Sequence, residues 1–196
     1  AASVEPLSIS CFSVNRAQPQ KEDVVAVIGL GVIGLYAVQV LKSLGISKIV
    51  ASGRRPARLA AAGICGADIV IDAASQDAVQ AAIEATANMG VNTVVECAGT
   101  QVTFDQSIAM ARGGGKIMLV AVYEEPLRWD PRNVIAKNLS LTGCLGGNFP
   151  ASIALLAGGK VSAKPLISHR FPLDKAGEAF MTQLNHPDAI KVMIMP

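Results

Sequence analysis

Six short apolar runs recur along the chain at a nearly constant interval, and that interval constrains the fold more than any other feature. The runs Val24–Ile28, Lys48–Ala51, Ile69–Ile71, Thr93–Cys97, Lys116–Val122 and Leu139–Cys144 start 24, 21, 24, 23 and 23 residues apart. They are strand-sized and do not alternate apolar with polar residues, so each strand is expected to be covered on both faces. Between them lie helical stretches rich in Ala and Leu at Val32–Leu44, Ala57–Ala62, Gln76–Thr86 and Phe104–Ala111. Strand and helix at this spacing build right-handed βαβ units around a parallel sheet. The fifth connection contains Pro126, Trp129 and Pro131, which leaves room only for a short helix near Asn133–Lys137. The expected fold is therefore α/β: a doubly wound, six-stranded parallel sheet of the Rossmann type with strand order 3-2-1-4-5-6. Punctuation agrees, with Gly45, Gly63, Gly66 and Gly90 closing helices and Arg112–Gly115 reading as a flexible turn. After Pro165 the period is lost. Leu166–Pro172 reads as an extended link, Leu173–Gln183 as a helix, and Ile190–Met195 as a strand-like tail without a partner in the six-strand count.

Composition narrows the function. Of 196 residues, 51% are hydrophobic and only 16% charged, which excludes a disordered chain. The net charge of +2, with no block of Lys or Arg, excludes a nucleic-acid footprint. Cys11, Cys65, Cys97 and Cys144 have neither CxxC nor zinc-knuckle spacing and read as reduced thiols of a cytoplasmic protein. Val24–Leu41 is long and apolar enough for a membrane span, but the clustered Gly29, Gly31 and Gly34 make it a strand running into a buried helix. No membrane association is expected. The opening Ala1-Ala2-Ser3-Val4-Glu5 carries neither an initiator Met nor a signal peptide and reads as a piece of a longer protein.

Gly29-Leu30-Gly31-Val32-Ile33-Gly34 joins the first strand to the first helix. In this position a GxGxxG turn has a physical purpose at each glycine: a tight turn at Gly29, backbone approach to a pyrophosphate at Gly31, and close helix–strand packing at Gly34. The helix that starts at Val32 and Ile33 then offers free N–H groups to the anion. Two other users of such a turn are excluded. A methyltransferase needs an acid at the end of the second strand, where this chain reads Ala51-Ser52-Gly53-Arg54-Arg55. A short-chain dehydrogenase needs Tyr with Lys four residues on, which neither Tyr36 nor Tyr123 has.

The same missing acid selects the cofactor. An NAD enzyme places Asp or Glu about 20 residues beyond the turn to bind the ribose 2′-hydroxyl. Here Gly53 removes that repulsion, and Arg54, Arg55 and Arg58 can hold the 2′-phosphate of NADP. Charge-assisted bonds of about 1.5–3 kcal/mol each, reduced by screening, predict a preference of about a hundredfold for NADP.

The residues resemble the coenzyme-binding domain of zinc-dependent medium-chain alcohol dehydrogenases, nearest the sorbitol, threonine and butanediol dehydrogenase branch. The resemblance rests on Glu5-Pro6-Leu7, the glycine turn, Val94-Val95-Glu96-Cys97-Ala98-Gly99, Gly113-Gly114-Gly115-Lys116 and Lys164–Leu173, continuing to Ala176 and Glu178-Ala179-Phe180. It implies that Cys97, Ala98, Val120, Ala121 and Val122 line the path from adenosine to nicotinamide. It also implies that Cys144, Leu145 and Gly146 lie near the nicotinamide, and that Lys191 touches the pyrophosphate. By the same resemblance residues 1–22 lead in from an N-terminal catalytic lobe, 23–165 bind the dinucleotide, and 166–196 return to that lobe. Such enzymes carry a catalytic zinc, and Glu5 is the one residue here that the likeness brings near the metal. An exposed glutamate at a helix start is an equal reading of Glu5. His169 and His186 lack a partner ligand at metal spacing and read as structural. Polyol-type relatives carry Arg where this chain has Leu145-Gly146-Gly147, which disfavours a sugar alcohol.

The implied activity is hydride transfer between a small secondary alcohol or ketone and NADP(H), with zinc only in the complete enzyme and the chain alone inactive. Two alternatives stay open: a zinc-free quinone or enoyl reductase domain, and a non-catalytic nucleotide-sensing module. Leu139, Leu141 and Leu145 on an uncharged edge strand further predict a homo-oligomer paired edge to edge.

Overall fold

The alternation of apolar runs resolves into one parallel sheet in a computed structural model that describes residues 1–196. Helix α1 (Val4–Ala17) precedes strand β1 (Val24–Ile28) and helix α2 (Val32–Ser43). Then follow β2 (Lys48–Gly53), α3 (Pro56–Ile64), β3 (Ile69–Asp72), α4 (Ala78–Glu84), β4 (Val91–Glu96) and α5 (Gln101–Met110). The second half of the sheet adds β5 (Ala111–Leu119), α6 (Pro131–Lys137), β6 (Ser140–Gly143) and α7 (Phe149–Ala157). The sheet runs β3-β2-β1-β4-β5-β6 with every pairing parallel, as the sequence predicts.

Successive side chains of the central strands enter different cores. Val25, Val27, Ile49, Ala51, Val95 and Met118 join the core beneath α1 and α2. Their neighbours Ala26, Ile28, Val50, Val94 and Ile117 join the core beneath α4 and α5. This two-sided burial is why the runs show no polar alternation. Helix α1 is more than a lead-in segment. Leu7, Cys11 and Val14 recur at helical spacing, are fully buried, and share the core of α2. The Ser10 hydroxyl donates to the Ile33 carbonyl at 2.8 Å, which ties α1 to the first turn of α2. Helix α2 has one polar buried residue, Gln39. Its amide donates to the Ser162 carbonyl at 3.1 Å and accepts from the Ser162 N–H at 2.7 Å. The long apolar segment 24–41 is therefore a strand and a buried helix. No helix is long and apolar enough to cross a membrane.

Three segments differ from the expectation. Arg112–Gly115 bends as expected, with Gly114 at φ +71°, but it lies within β5 as a bulge opposite Asn92, between the pairs Val91–Ala111 and Thr93–Lys116, rather than ahead of the strand. The Lys137 ammonium holds this bulged start by donating to the carbonyls of Ile108, Ala109 and Ala111. Helix α7 was not foreseen, because Ser152 is its only polar residue and no polar period marks it. Its signal is the cap: the Asn148 side chain accepts from the Ala151 N–H, with Pro150 in the first turn. The tail, finally, has a partner. Strands β7 (Ile167–Pro172) and β8 (Lys191–Met195) form a separate two-stranded parallel sheet, with α8 (Ala176–Asn185) as the crossover that parallel pairing requires. Leu166 and Ile190 sit in the core under α2, so residues 166–196 fold back on the main body.

Candidate functional site

The strand order reverses between β1 and β4. Loops leaving their carboxyl ends diverge to opposite faces and open a crevice, the usual ligand position in a doubly wound sheet. The three glycines of the first turn stand there for different reasons. Gly29 has φ +91°, and a Cβ on it would lie 2.8 Å from the Ala98 backbone. A Cβ on Gly34 would lie 2.0 Å from the Gly29 carbonyl oxygen. The fold needs both glycines. Gly31 is the N-cap of α2, with φ −75° and ψ −174°, and a Cβ there meets nothing within 4 Å. The fold does not need that glycine, and open space lies above it.

Two clefts meet at Ala98. The first, of about 670 Å³, is lined by Gly29, Gly53, Arg54, Arg55, Arg58 and Ala98, with Thr100, Thr103 and Gln106 closing its far side. The guanidinium groups of Arg54 and Arg55 make no bond elsewhere in the chain, and both residues are exposed. Arg58 is tethered instead: its Nε and Nη2 both donate to the Ala189 carbonyl, at 3.1 and 2.8 Å. Burial, followed by repulsion from Arg55, lowers its pKa. Gly53 has a packing role as well as an electrostatic one, since a Cβ there would lie 2.8 Å from Leu30 Cδ1.

The second cleft, of about 540 Å³, is mostly apolar. Ile33, Cys97, Val120, Ala121 and Val122 form one side, and Cys144, Leu145 and Phe149 the other. Leu145 is 95% exposed and stands at the mouth. Ser8, Ile9 and Phe149 were not anticipated, because nothing local in α1 or before α7 signals that they face a crevice. Val32, within the turn, packs against the core and lines neither cleft. Lys191 begins β8, two residues beyond the carbonyl that holds Arg58, and also lines neither cleft.

Between the clefts lies a buried carboxylate that the sequence reading left without a role. Glu96 ends β4 and is 0% exposed. Its Oε1 accepts from the Ala98 and Gly99 N–H groups at 2.8 and 3.0 Å, and its Oε2 accepts from the Tyr123 hydroxyl at 2.6 Å. A lone charge ending an otherwise uncharged strand is the available signal.

The donor set for a metal is thin. Glu5 lines the apolar cleft, but no group of three His, Cys, Asp or Glu in the chain could hold a metal ion. Cys97 and Cys144 border the same cleft, and burial raises both thiols, whereas zinc binds the thiolate. The residues present do not fit a zinc site by themselves. His169 and His186 pack edge to face, with ring centroids 4.8 Å apart, on the β7–α8 unit and away from both clefts.

Residues 32–158 match the family described as zinc-binding dehydrogenase. The sorbitol dehydrogenase of Gallus gallus is 32% identical over 98% of this chain and 55% of its own length. The 2R,3R-butanediol dehydrogenase of Bacillus subtilis superposes with a TM-score of 0.91 at 29% identity, over all of this chain and 57% of that one. A zinc-binding dehydrogenase of Sinorhizobium meliloti bound to NADP superposes with a TM-score of 0.90 at 28% identity, over 100% of this chain and 58% of that one. The chain thus spans little more than half the length of these relatives.

Proposed function

Because the chain belongs to the zinc-binding dehydrogenase family, we propose that it is the coenzyme-binding domain of an alcohol oxidoreductase that prefers NADP(H). Gly31 carries this reading. It is a glycine that no internal contact demands, at a helix N-terminus, and although it lines neither cleft itself, its turn has Gly29 on the arginine-lined cleft and Ile33 on the apolar one. A dinucleotide has that sequence of parts: a charged adenosine half, a pyrophosphate, and a flat nicotinamide ring. Gly29, Gly31 and Ile33 would receive the pyrophosphate, with Gly34 letting α2 close against the turn, and Arg54, Arg55 and Arg58 the 2′-phosphate. Cys97, Ala98, Val120–Val122, Cys144 and Leu145 would bound the ring. The bound nicotinamide supplies the hydride-transfer chemistry, with a secondary alcohol or ketone as the other reactant.

On the same reading, residues 1–22 and 166–196 connect to a catalytic lobe, and any metal near Glu5 takes its other ligands from there. We infer that Lys191 lends charge to the pyrophosphate, that the free edge of β6 pairs with a second copy, and that the enzyme works in the cytoplasm. Four unpaired thiols support the last point. Calorimetry with NADPH and NADH tests the cofactor assignment. NADPH is expected to bind about a hundredfold more tightly; equal affinities would sink it.

A further inference from the structure

Glu96 and Tyr123 line neither cleft, yet they join the two loops between which the clefts meet. We propose that they are positioning residues: a latch that fixes the gap between the loop after β4 and the loop after β5, and so sets the affinity of the apolar cleft for the nicotinamide half of the cofactor. The inference rests on the dinucleotide reading above.

A fully buried carboxylate is costly unless its oxygens are bonded, and here the pair serves both loops, with the Gly99 N–H reaching Oε2 as well at 3.3 Å. Oε1 gathers the N–H groups of Ala98 and Gly99, and Ala98 in turn abuts the phosphate turn at Gly29. Oε2 holds the Tyr123 hydroxyl and with it the segment Val120–Val122, which borders the apolar cleft alone. The loops are in contact, since a Cβ on Gly99 would lie 2.8 Å from the Val122 carbonyl oxygen. Burial, then the Glu96 carboxylate, pushes the Tyr123 phenol well above its ordinary range, so it stays protonated and remains the donor.

The rest of the second loop is tied to α5 rather than to β6. The Tyr123 and Trp129 rings both meet Phe104 edge-on, at centroid distances of 6.4 and 6.3 Å. The Gln101 side chain donates to the Arg128 carbonyl and accepts from the Arg128 N–H, both at 2.8 Å. The Val120 and Ala121 N–H groups donate to the Glu96 carbonyl at 2.9 and 3.2 Å and fix the start of the loop. With its distal part anchored on α5, the bond from Tyr123 to Glu96 is the one side-chain tie that adjusts Val122 and the gap beside it.

The test uses two probes in calorimetry: NADPH, which spans both clefts, and adenosine 2′,5′-bisphosphate, which needs only the arginine-lined one. Tyr123→Phe removes one hydroxyl from a partly exposed ring. It is expected to weaken NADPH about tenfold, the effect of one lost bond to a charged group, and to leave the bisphosphate within about twofold. Glu96→Gln keeps an oxygen for the two N–H groups and an amide that can donate to the phenol oxygen. It is expected to hold both probes within about threefold of wild type. Unchanged NADPH affinity in Tyr123→Phe overturns the latch, and so does a parallel loss of both probes in either variant, because that pattern marks a merely structural role. Should the unmodified chain bind neither probe, the dinucleotide reading itself falls and the latch with it; binding by the unmodified chain assigns any failure of the variants to the latch alone.

Discussion

The two clefts share Ala98 but are built on opposite physics. The first is bordered by arginines on an exposed turn, two of them without an internal partner, so it can discriminate by charge. The second is bordered mainly by Ile, Val, Ala, Leu, Phe and two thiols, with Glu5 and Ser8 on α1 as its polar members, so it discriminates chiefly by shape and by the spacing of its loops. Charge is easily altered by one substitution on a surface turn, whereas shape depends on how several segments pack. Cofactor choice should therefore be changed readily from the first cleft. Placement of the reacting ring should be governed by residues, such as Glu96, that never touch it.

The largest expected effect separates binding from chemistry. The chain is expected to bind NADPH in both clefts, yet to form none from NADP and a panel of secondary alcohols, even with zinc supplied. A catalytic zinc takes three protein ligands plus an open position, and the chain has no such group. Losing several kcal/mol of metal polarisation costs at least about three orders of magnitude in rate. Turnover together with tightly held, stoichiometric zinc after dialysis would refute this.

Next comes the turn that serves both clefts. Gly31→Ala is expected to weaken NADPH and NADH alike by about a hundredfold, because a methyl enters the space that a pyrophosphate would occupy. Its thermal midpoint should drop by only a few degrees. Gly34→Ala is the contrasting change: its Cβ meets the Gly29 carbonyl oxygen, and the fold should lose about 3 kcal/mol, roughly 10 °C in midpoint. A Gly31→Ala chain that kept its affinity would break the argument that this glycine serves a ligand.

A smaller and more selective effect belongs to the arginine-lined cleft. Arg54→Ala with Arg55→Ala is expected to weaken NADPH by about thirtyfold and NADH by less than about twofold. The loss should shrink in high salt, since both side chains are exposed. Equal loss for both cofactors would mean that the arginines hold the fold or the pyrophosphate instead.

The smallest effect lies outside both clefts. Burial pushes the Cys11 and Cys65 thiols up to about 11. The unfolded chain releases these protons from about pH 9, while the folded chain retains them until about pH 11. Stability should therefore fall as pH rises through that window. The thermal midpoint is expected to drop by a few degrees there, with a shallower slope in Cys65→Ala. A midpoint independent of pH between those values would contradict it.

Much of the architecture is legible in the sequence. The sheet order followed from the interval between β-branched runs, and the phosphate turn from three glycines at one strand–helix junction. Helix α7 and the β7–β8 pair were not legible. An almost wholly apolar helix has no polar face to set a period, and Ile190–Met195 shows no sign of a partner more than 20 residues upstream. The site divides in the same way. Arg54 and Arg55 were readable as local charge. Arg58 carried the same signal, yet its guanidinium is bound to a carbonyl 131 residues away.

What the sequence determined by itself is what near neighbours decide: which segments are strands, which turn can approach an anion, and that no acid stands where NAD would need one. Those features depend on backbone sterics and side-chain chemistry within a few residues. The tertiary structure alone decided that Glu96 bridges two loops, that Gly31 has open space above it, and that the tail folds back through Ile190 and the Ala189 carbonyl. Periodicity tells which face of an element must be covered. Which distant segment covers it, and which buried polar group it must satisfy, is settled only when the chain packs.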